Sequence, residues 1–527
     1  MRLPTGDGAV AVRPPPQRRR RWGRGAAALA AGALPALAFP APSLWWWAYG
    51  AMVPWLLLLR TAPSGRRAAL DGWLGGAGFV LAVHHWLVPS LHVFILVLAA
   101  LLALLWVPWG LLAWWALRGA EHSPGRAVAA CAVVPSGWLM VEMVRSGEGL
   151  GGPWGLLGAS QWEVSPALRV AALGGVWLVT LLVVAVNTAV ALLVAVPSVR
   201  GPAVAALVVC AVTVGSVWTW LEPPAPVGRA RIGVVQPGVV DGPNSPERRF
   251  AREEALTRTL AGRDVDLVVW GESSVGADLS ARPDLAARLA ALSRHVDAEL
   301  LVNVDARRSD LPGIYKSSVL VGPEGPTGDR YDKMRLVPFG EYVPLRSVLG
   351  WATSVGRAAE EDRRRGAEQV VMTVGAGSGP DLAVGPLVCF ESAFPDMSRH
   401  LARAGAEVLV AQSATSTFQE SWAPEQHASL AALRAAETGR PVVHATLTGV
   451  SAVYGPDGAR IDAPLGTDRS AAAVHDVPLA TGTTPYVRFG DWPLWAAGTV
   501  LAGAALGAVR RRSAPRPPGP PARTARG

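Results

Sequence analysis

Residues 265–272 read Val-Asp-Leu-Val-Val-Trp-Gly-Glu. An apolar run this short cannot cross a bilayer, which takes about 20 residues. Closed by Gly271, it reads as a buried β-strand with Glu272 at its end. Similar runs recur at 231–236 (RIGVVQ), 299–305 (ELLVNVD), 317–322, 382–389 (LAVGPLVC), 407–412 (EVLVAQ), 441–447 and 450–454. Helical patterns fall among them at 246–262, 283–296 and 424–438. Strands alternating with helices predict a layered α/β domain over residues 225–485.

Outside that region the chain changes character. Apolar runs of spanning length lie at 25–41, 44–59, 68–90, 92–117, 126–144, 168–196 and 203–221, and one more at 491–509. The expected organisation is a basic lead (1–24), a seven-span membrane domain (25–222), the α/β domain (225–485), a closing span (491–509) and a basic disordered tail (510–527). Arginines mark alternate loops: Arg60, Arg66 and Arg67; Arg118 and Arg126; Arg200; and the tail from Arg510. By the positive-inside rule both termini are cytoplasmic and the α/β domain is extracytoplasmic. Arg145 and Arg169, in an outer loop, are a modest exception. A cleaved signal peptide is disfavoured, because apolar segments continue directly after the first.

Composition agrees. Of 527 residues, 50% are hydrophobic and 17% charged, with mean hydropathy +0.28. That excludes a disordered chain and a fully soluble one. The net charge of +9 comes with only two lysines, Lys316 and Lys333, the other 47 basic residues being arginine. They gather at the chain ends and beside apolar segments, as in a membrane protein rather than a nucleic-acid binder. Three cysteines are too few for a disulfide framework, and no CxxC or HExxH spacing points to a metal.

Three residue types in the polar region supply the parts of acyl transfer. Cys389, its only cysteine, ends an apolar strand and can form a thioester. Glu272 can take the thiol proton and later that of an attacking amine. Lys333, in a chain that writes nearly every cation as arginine, is a compact charge suited to an oxyanion.

The set resembles the nitrilase (carbon–nitrogen hydrolase) superfamily, in which Glu, Lys and Cys fall in this order. The block 331–345 (YDKMRLVPFGEYVPL), the segment 484–495 (TPYVRFGDWPLW), and the patterns WxxxExxR at 138–145 and PWxxxGxSQ at 153–161 resemble its membrane branch, the apolipoprotein N-acyltransferases. The resemblance covers about residues 25–510. It implies an αββα sandwich beside about eight spans in a bacterial plasma membrane. It implies Glu272 as base, Lys333 as oxyanion cation and Cys389 as nucleophile, supported by Glu341 and Glu391. It marks Glu142, Arg145, Trp154, Gln161, Tyr342 and Phe390 as substrate-side residues. The implied reaction moves an acyl chain from a phospholipid, through the Cys389 thioester, to the N-terminal amine of S-diacylglyceryl-cysteine in an apolipoprotein, with no cofactor.

From the residues alone, Glu142 and Arg145 are read as snorkelling to the interface, pairing, or touching a headgroup. His84 and His85 are read as interfacial, with a contact to the donor headgroup as the alternative. Three places depart from the family pattern: Gly271 where Pro is usual, Gln412–Phe418, and His444–Gly449, the last two expected on the substrate side. The alternatives are a membrane-tethered amidase or hydrolase and a non-catalytic scaffold for a partner such as a glycosyltransferase. A transporter would leave the large α/β domain unexplained.

Overall fold

The computed structural model describes residues 17–349, 361–375 and 381–513. Most of the basic lead and the tail beyond residue 513 lie outside the described residues.

Among the described residues, five helical segments are long and apolar enough to cross a membrane: Phe94–His122, Pro124–Arg145, Ser165–Ala195, Pro197–Trp220 and Trp492–Arg510. Gly65–Val83 with His85–Leu91, bent by 65°, makes a sixth if taken as one span. Of the about eight expected spans, these helices account for five or six. The first two apolar runs are broken. The helix Gln17–Ala33 gives way to a tight 3₁₀ turn at Leu34–Ala38, with Pro35 in its first positions. Trp45–Tyr49 forms another such turn, and Val53–Arg60 has only 8 helical residues. At 1.5 Å per residue that helix is about 12 Å long, against a hydrocarbon core of about 30 Å. Pro35, Pro40, Pro42 and Pro54 interrupt the stretch, each lacking an N–H for a helical bond.

Without a hydrophobic drive between helices in lipid, close packing holds them together. A Cβ on Gly32 would lie 1.9 Å from the Gly75 carbonyl oxygen, so glycine lets these two helices touch. Trp55, Trp106, Trp109 and Trp138 are fully buried around Phe79, with Trp55 and Trp109 ring centres 4.9 Å apart, edge to face. Val208, Val209, Val212, Trp495 and Leu506 are left exposed on the outer helices, a surface suited to lipid.

Among the described residues, the α/β region holds two six-stranded sheets. Their strands are β1 (Pro226–Gln236), β2 (Leu267–Trp270), β3 (Glu299–Arg307), β4 (Ile314–Gly322), β5 (Gly325–Asp332), β6 (Met372–Val374), β7 (Leu382–Val388), β8 (Val408–Ser413), β9 (Val442–Thr446), β10 (Ser451–Tyr454), β11 (Arg460–Leu465) and β12 (Ala471–Ala480). One sheet runs β12-β1-β2-β3-β4-β5, the other β11-β10-β9-β8-β7-β6. In each, three central strands are parallel: β1, β2 and β3, and β7, β8 and β9. All eight expected strands are found, as are the three expected helices.

The sheets face each other across Val234, Leu267, Val269, Val384, Val410 and Val443. Helices Ser245–Arg258 and Pro283–Val296 cover the first sheet through Phe250, Leu289 and Leu292. Helices Pro395–Arg403 and Ala423–Thr438 cover the second. Their apolar residues Leu401, Leu430 and Leu433 join one continuous core with Trp154, Leu157, Leu168 and Val176 of the helical part. The sandwich thus shares a core with the membrane helices. A buried Glu437 fastens the seam. The helix Ser165–Ala195 breaks at Gly174 and Gly175, and Glu437 Oε1 accepts the freed Val176 N–H at 2.7 Å.

Candidate active site

Cys389 stands directly after β7, at the carboxyl end of a central parallel strand, where open α/β sheets place their sites. Its φ is 53°, a left-handed conformation that costs a non-glycine residue about 1–3 kcal/mol. The surroundings hold it there. The Cys389 carbonyl accepts from Ser392 Oγ at 2.9 Å and from His427 Nε2 at 3.1 Å. A carbonyl only accepts, so Nε2 carries the imidazole proton. Burial pushes the thiol up to about 12, Glu272 adds to the rise, and Lys333 and Lys316 oppose it.

Glu272 follows β2. Its N–H donates to the Ser413 carbonyl at 3.2 Å, across to the other sheet. Gly271 makes that approach possible: a Cβ there would lie 1.9 Å from the Leu447 nitrogen. Leu447 N–H donates to the same Ser413 carbonyl at 2.9 Å. The three departures from the family pattern thus meet at one spot. Gln412 Nε2 bonds the Trp270 and Leu301 carbonyls at 2.9 and 3.1 Å, and Thr446 Oγ1 bonds Gln236 Oε1 at 2.8 Å. Gln412 and Thr446 stitch the sheets together behind Glu272.

Lys333 is fully buried. Its Nζ lies 2.8 Å from Glu341 Oε1 and 3.3 Å from Glu272 Oε1. Glu341 also accepts the Val337 N–H through Oε2 at 2.8 Å, closing the turn that carries it. Glu391 is buried on the turn after the nucleophile. Its Oε1 takes Tyr331 Oη at 2.7 Å, Met334 N–H at 2.7 Å and Arg335 N–H at 3.0 Å; its Oε2 takes Val388 N–H at 2.8 Å. Burial pushes its carboxyl above the usual range despite these donors.

One member of the centre escaped the sequence reading. Lys316 Nζ lies 2.7 Å from Glu272 Oε1 and 3.1 Å from Glu341 Oε1. The scarcity that singled out Lys333 applied equally to Lys316. Burial raises the Glu272 pKa, but Lys316 and then Lys333 outweigh it and hold the carboxyl at about 2. His427 also went unread; a histidine in an apolar helix gives no signal by itself.

The residues marked as substrate-side divide. Trp154 reaches the centre's edge: its ring lies 5.2 Å from His427, and its Nε1 donates to Gln426 Oε1 at 2.9 Å. Phe390 packs edge-on against Phe394 at 4.9 Å, and Gly152 of the helical part approaches both rings. Tyr342 adjoins Glu341 and lies under Arg365, 5.5 Å from the ring centre. Glu142, Arg145 and Gln161 make their hydrogen bonds within the helical part. Glu142 is buried and accepts from Trp138 Nε1 (2.9 Å), Leu157 N–H (2.7 Å) and Thr180 Oγ1 (3.0 Å). Arg145, also buried, donates to the Trp154 carbonyl at 2.6 Å. Neither snorkels, and no ion pair joins them. Gln161 Nε2 donates to the Trp45 carbonyl at 2.9 Å. His84 is buried, and the His85 ring stands edge-on to Trp422 at 4.5 Å.

The family model for the apolipoprotein N-acyltransferase N-terminal domain matches residues 31–189, and that for carbon-nitrogen hydrolase matches residues 231–484. The apolipoprotein N-acyltransferase of Azotobacter vinelandii is 32% identical over 530 residues, covering 95% of this chain and 98% of its own. That of Geobacter metallireducens is 29% identical, covering 92% and 95%; that of Pseudomonas putida is 31% identical, covering 93% and 98%. Among solved structures, a nitrilase-superfamily protein of Saccharomyces cerevisiae covers 48% of this chain and 91% of its own at TM-score 0.36 and 16% identity. With both halves matched in order and relatives aligned almost end to end, the chain belongs to the apolipoprotein N-acyltransferase family.

Proposed function

We propose that Cys389, Glu272 and Lys333 carry the family's acyl transfer in this chain. Cys389 Sγ attacks the ester carbonyl of a membrane phospholipid while Glu272 takes the thiol proton. The carbonyl electrons move onto oxygen, and Lys333 stabilises that oxyanion. Collapse expels the lysophospholipid, whose oxygen recovers the proton from Glu272, and leaves a thioester. The α-amine of S-diacylglyceryl-cysteine at an apolipoprotein N-terminus then attacks the thioester. Glu272 takes the amine proton, the amide forms, and Cys389 leaves as the thiol. Glu341 holds Lys333, and Glu391 joins the segment bearing Lys333 to the nucleophile turn.

The observation that carries this reading is the meeting of Lys333 and Glu272, 3.3 Å apart, beside Cys389 at the strand ends. The core shared with the membrane helices supports an amine acceptor over water. Phe390, Phe394 and Trp154 crowd the nucleophile turn with apolar surface, which disfavours hydrolysis of the thioester. Of the marked set, Trp154 and Phe390 are the ones this reading assigns to the acyl chain, on their closeness to the nucleophile turn.

The membrane arrangement belongs to the same proposal. The domain over 225–485 stands outside the cytoplasm, both termini lie inside, and the broken runs at 25–41 and 44–59 complete eight crossings. Both substrates are anchored in the bilayer by their own chains, so a site at the outer leaflet meets them at high effective concentration.

The test is intact-protein mass spectrometry after incubation with phospholipid alone. One added acyl group, released by hydroxylamine, absent in Cys389→Ala and discharged onto a diacylglyceryl-cysteine peptide, is the expected result. Discharge onto water at the same rate would make the chain a hydrolase. Failure to form an adduct with any lipid would end the reading.

A further inference from the structure

The two lysines of this chain meet at one carboxylate oxygen. Lys316 projects from β4 on the same face as Ser318, whose hydroxyl bonds Gln412 Oε1 across the gap between sheets. It is thereby aimed between the sheets, beside the carboxyl end of β2. Its carbonyl accepts the Lys333 N–H at 2.8 Å, so the lysine-bearing segments are tied backbone to backbone. Its ammonium bridges Glu272 Oε1 at 2.7 Å and Glu341 Oε1 at 3.1 Å. Lys333 bridges the same two oxygens at 3.3 and 2.8 Å. The four groups form a closed square of two cations and two anions. Lys316 is the nearer partner of Glu272, Lys333 the nearer partner of Glu341.

We propose that Lys316 is a positioning cation of this centre: it holds Glu272 and Glu341 so that Lys333 is free to turn to the oxyanion. This rests on the assignment of Glu272, Lys333 and Cys389 made above.

Charge balance gives the reason. In the resting site two ammonium groups face two carboxylates. In acylation the Sγ proton moves to Glu272, a bond forms between Sγ and the acyl carbon, and the negative charge passes to the carbonyl oxygen. Two ammonium groups now face Glu341 and the oxyanion, and the square is still neutral. Without Lys316 the same state carries one excess negative charge. Lys333 would then have to serve Glu341 and the oxyanion together, in a site where burial makes each unpaired charge costly. Among the described residues, further charged or titratable groups face the square; Glu391, which feels the Lys333 charge, is one. Asp305 lies 3.7 Å from Lys316 and 3.4 Å from Arg363. Cys389 faces Glu272, and the neutral His427 stands behind Cys389.

The experiment uses the full-length enzyme in phospholipid nanodiscs, with a diacylglyceryl-cysteine peptide as acceptor. Lys316→Met, Lys316→Gln and Lys316→Arg are compared with the parent in two assays. The first is the pH profile of kcat/KM. Removing a cation raises the Glu272 pKa, so the acid limb moves up by about 1–3 pH units in Lys316→Met and Lys316→Gln. The second is alkylation of Cys389 by iodoacetamide, mapped by mass spectrometry. The thiol also loses a cation, so alkylation slows about tenfold or more at fixed pH. Lys316→Arg keeps the charge and stays near the parent in both assays.

A surface or purely structural lysine would move neither limb nor alkylation rate. An unchanged acid limb with unchanged alkylation in Lys316→Met or Lys316→Gln overturns the proposal. If Lys316→Met does not fold, Lys316→Gln keeps a hydrogen-bond donor and serves alone. If neither neutral variant folds while Lys316→Arg does and keeps the parent profile, the charge at this position is required and the proposal stands. If Lys316→Arg fails as well, it is overturned in favour of a folding role. Retained transfer in Cys389→Ala would instead sink the assignment beneath it, whatever Lys316 does.

Discussion

Glu391 accepts the Met334 N–H at 2.7 Å, so the residue two after the nucleophile grips the residue directly after Lys333. Glu391 also takes the Arg335 N–H and the Tyr331 hydroxyl with the same oxygen. Its other oxygen takes the Val388 N–H, directly before the nucleophile. One buried carboxylate thus sets the register between the segment of the cation and the turn of the thiol. Hydrogen bonds to a charged acceptor are each worth about 1.5–3 kcal/mol. Glu391→Gln turns one oxygen into a donor that faces N–H groups. It is expected to lower thermal stability in detergent and reduce transfer at least about 100-fold. Tyr331→Phe removes one bond and should cost about tenfold. In a double-mutant cycle Tyr331→Phe should cost little once Glu391→Gln is present; full additivity would mean that the two do not act through one another.

The thiol and its base make a separable prediction. Burial and the Glu272 charge hold Cys389 protonated, at about 12, through the neutral range. Glu272→Gln removes the base and should abolish transfer. The same change removes an anion that opposes the thiolate, so the thiol pKa falls. Iodoacetamide alkylation of Cys389 at pH 8–9 should therefore become faster, by about tenfold for each unit of the fall. Slower alkylation in Glu272→Gln would show that Glu272 activates the resting thiol rather than receiving its proton in the reaction.

Gly271 tests the seam behind the base. A Cβ there would lie 1.9 Å from the Leu447 nitrogen and 2.5 Å from the Thr446 carbonyl carbon, backbone atoms that cannot swing aside. Gly271→Ala must push the turn after β9 away from β2 and loosen the Ser413 carbonyl, which accepts both Glu272 N–H and Leu447 N–H. Overpacking of this kind costs about 1–3 kcal/mol. The expected outcome is faster limited proteolysis of the sandwich and reduced transfer, with membrane insertion intact. Unchanged proteolysis and transfer would mean that the turn yields without cost.

The strands legible in the sequence are those with neighbours on both sides. β1, β2, β3, β4, β7, β8, β9 and β10 are interior to their sheets and read as continuous apolar runs. The four that went unread, β5, β6, β11 and β12, are the four sheet edges. An edge strand such as β5, Gly-Pro-Thr-Gly-Asp-Arg-Tyr-Asp, is half wet and carries charge and glycine, so its pattern resembles a loop. The membrane part was least legible where proline intervenes. Hydropathy counts apolar residues over 25–59 but does not see that Pro35, Pro40, Pro42 and Pro54 divide them into short helices. Glu272, Lys333 and Cys389 were legible because each follows an apolar strand or stands in a specific block. Lys316 lies inside a strand, where its direction toward Glu272 depends on register across two sheets, which no local pattern carries.

His427 is held between the nucleophile and the membrane helices, and it gives the last prediction. Its Nε2 donates to the Cys389 carbonyl at 3.1 Å. Its ring stands 5.2 Å from Trp154 of the helical part and 4.8 Å from His444 of β9. The adjacent Gln426 is fixed at both ends of its amide, by Trp154 Nε1 at 2.9 Å and by the Pro40 carbonyl at 3.0 Å. The left-handed Cys389 is thereby braced against the membrane part. Burial lowers the imidazole pKa to about 4, so His427 is neutral and a donor throughout the working range. A positioning donor of this kind should affect rate without entering the pH profile. His427→Ala is expected to lower kcat by about tenfold or more, the worth of one hydrogen bond and the strain it restrains, and to leave both limbs where they were. His427→Gln, which can still reach the carbonyl with an N–H, should recover part of the loss. Trp154→Ala frees the other side of the ring and should produce a smaller fall of the same kind. A shifted limb in His427→Ala would make the imidazole a proton carrier. Unchanged kcat would mean that Ser392 Oγ, at 2.9 Å, holds the carbonyl alone.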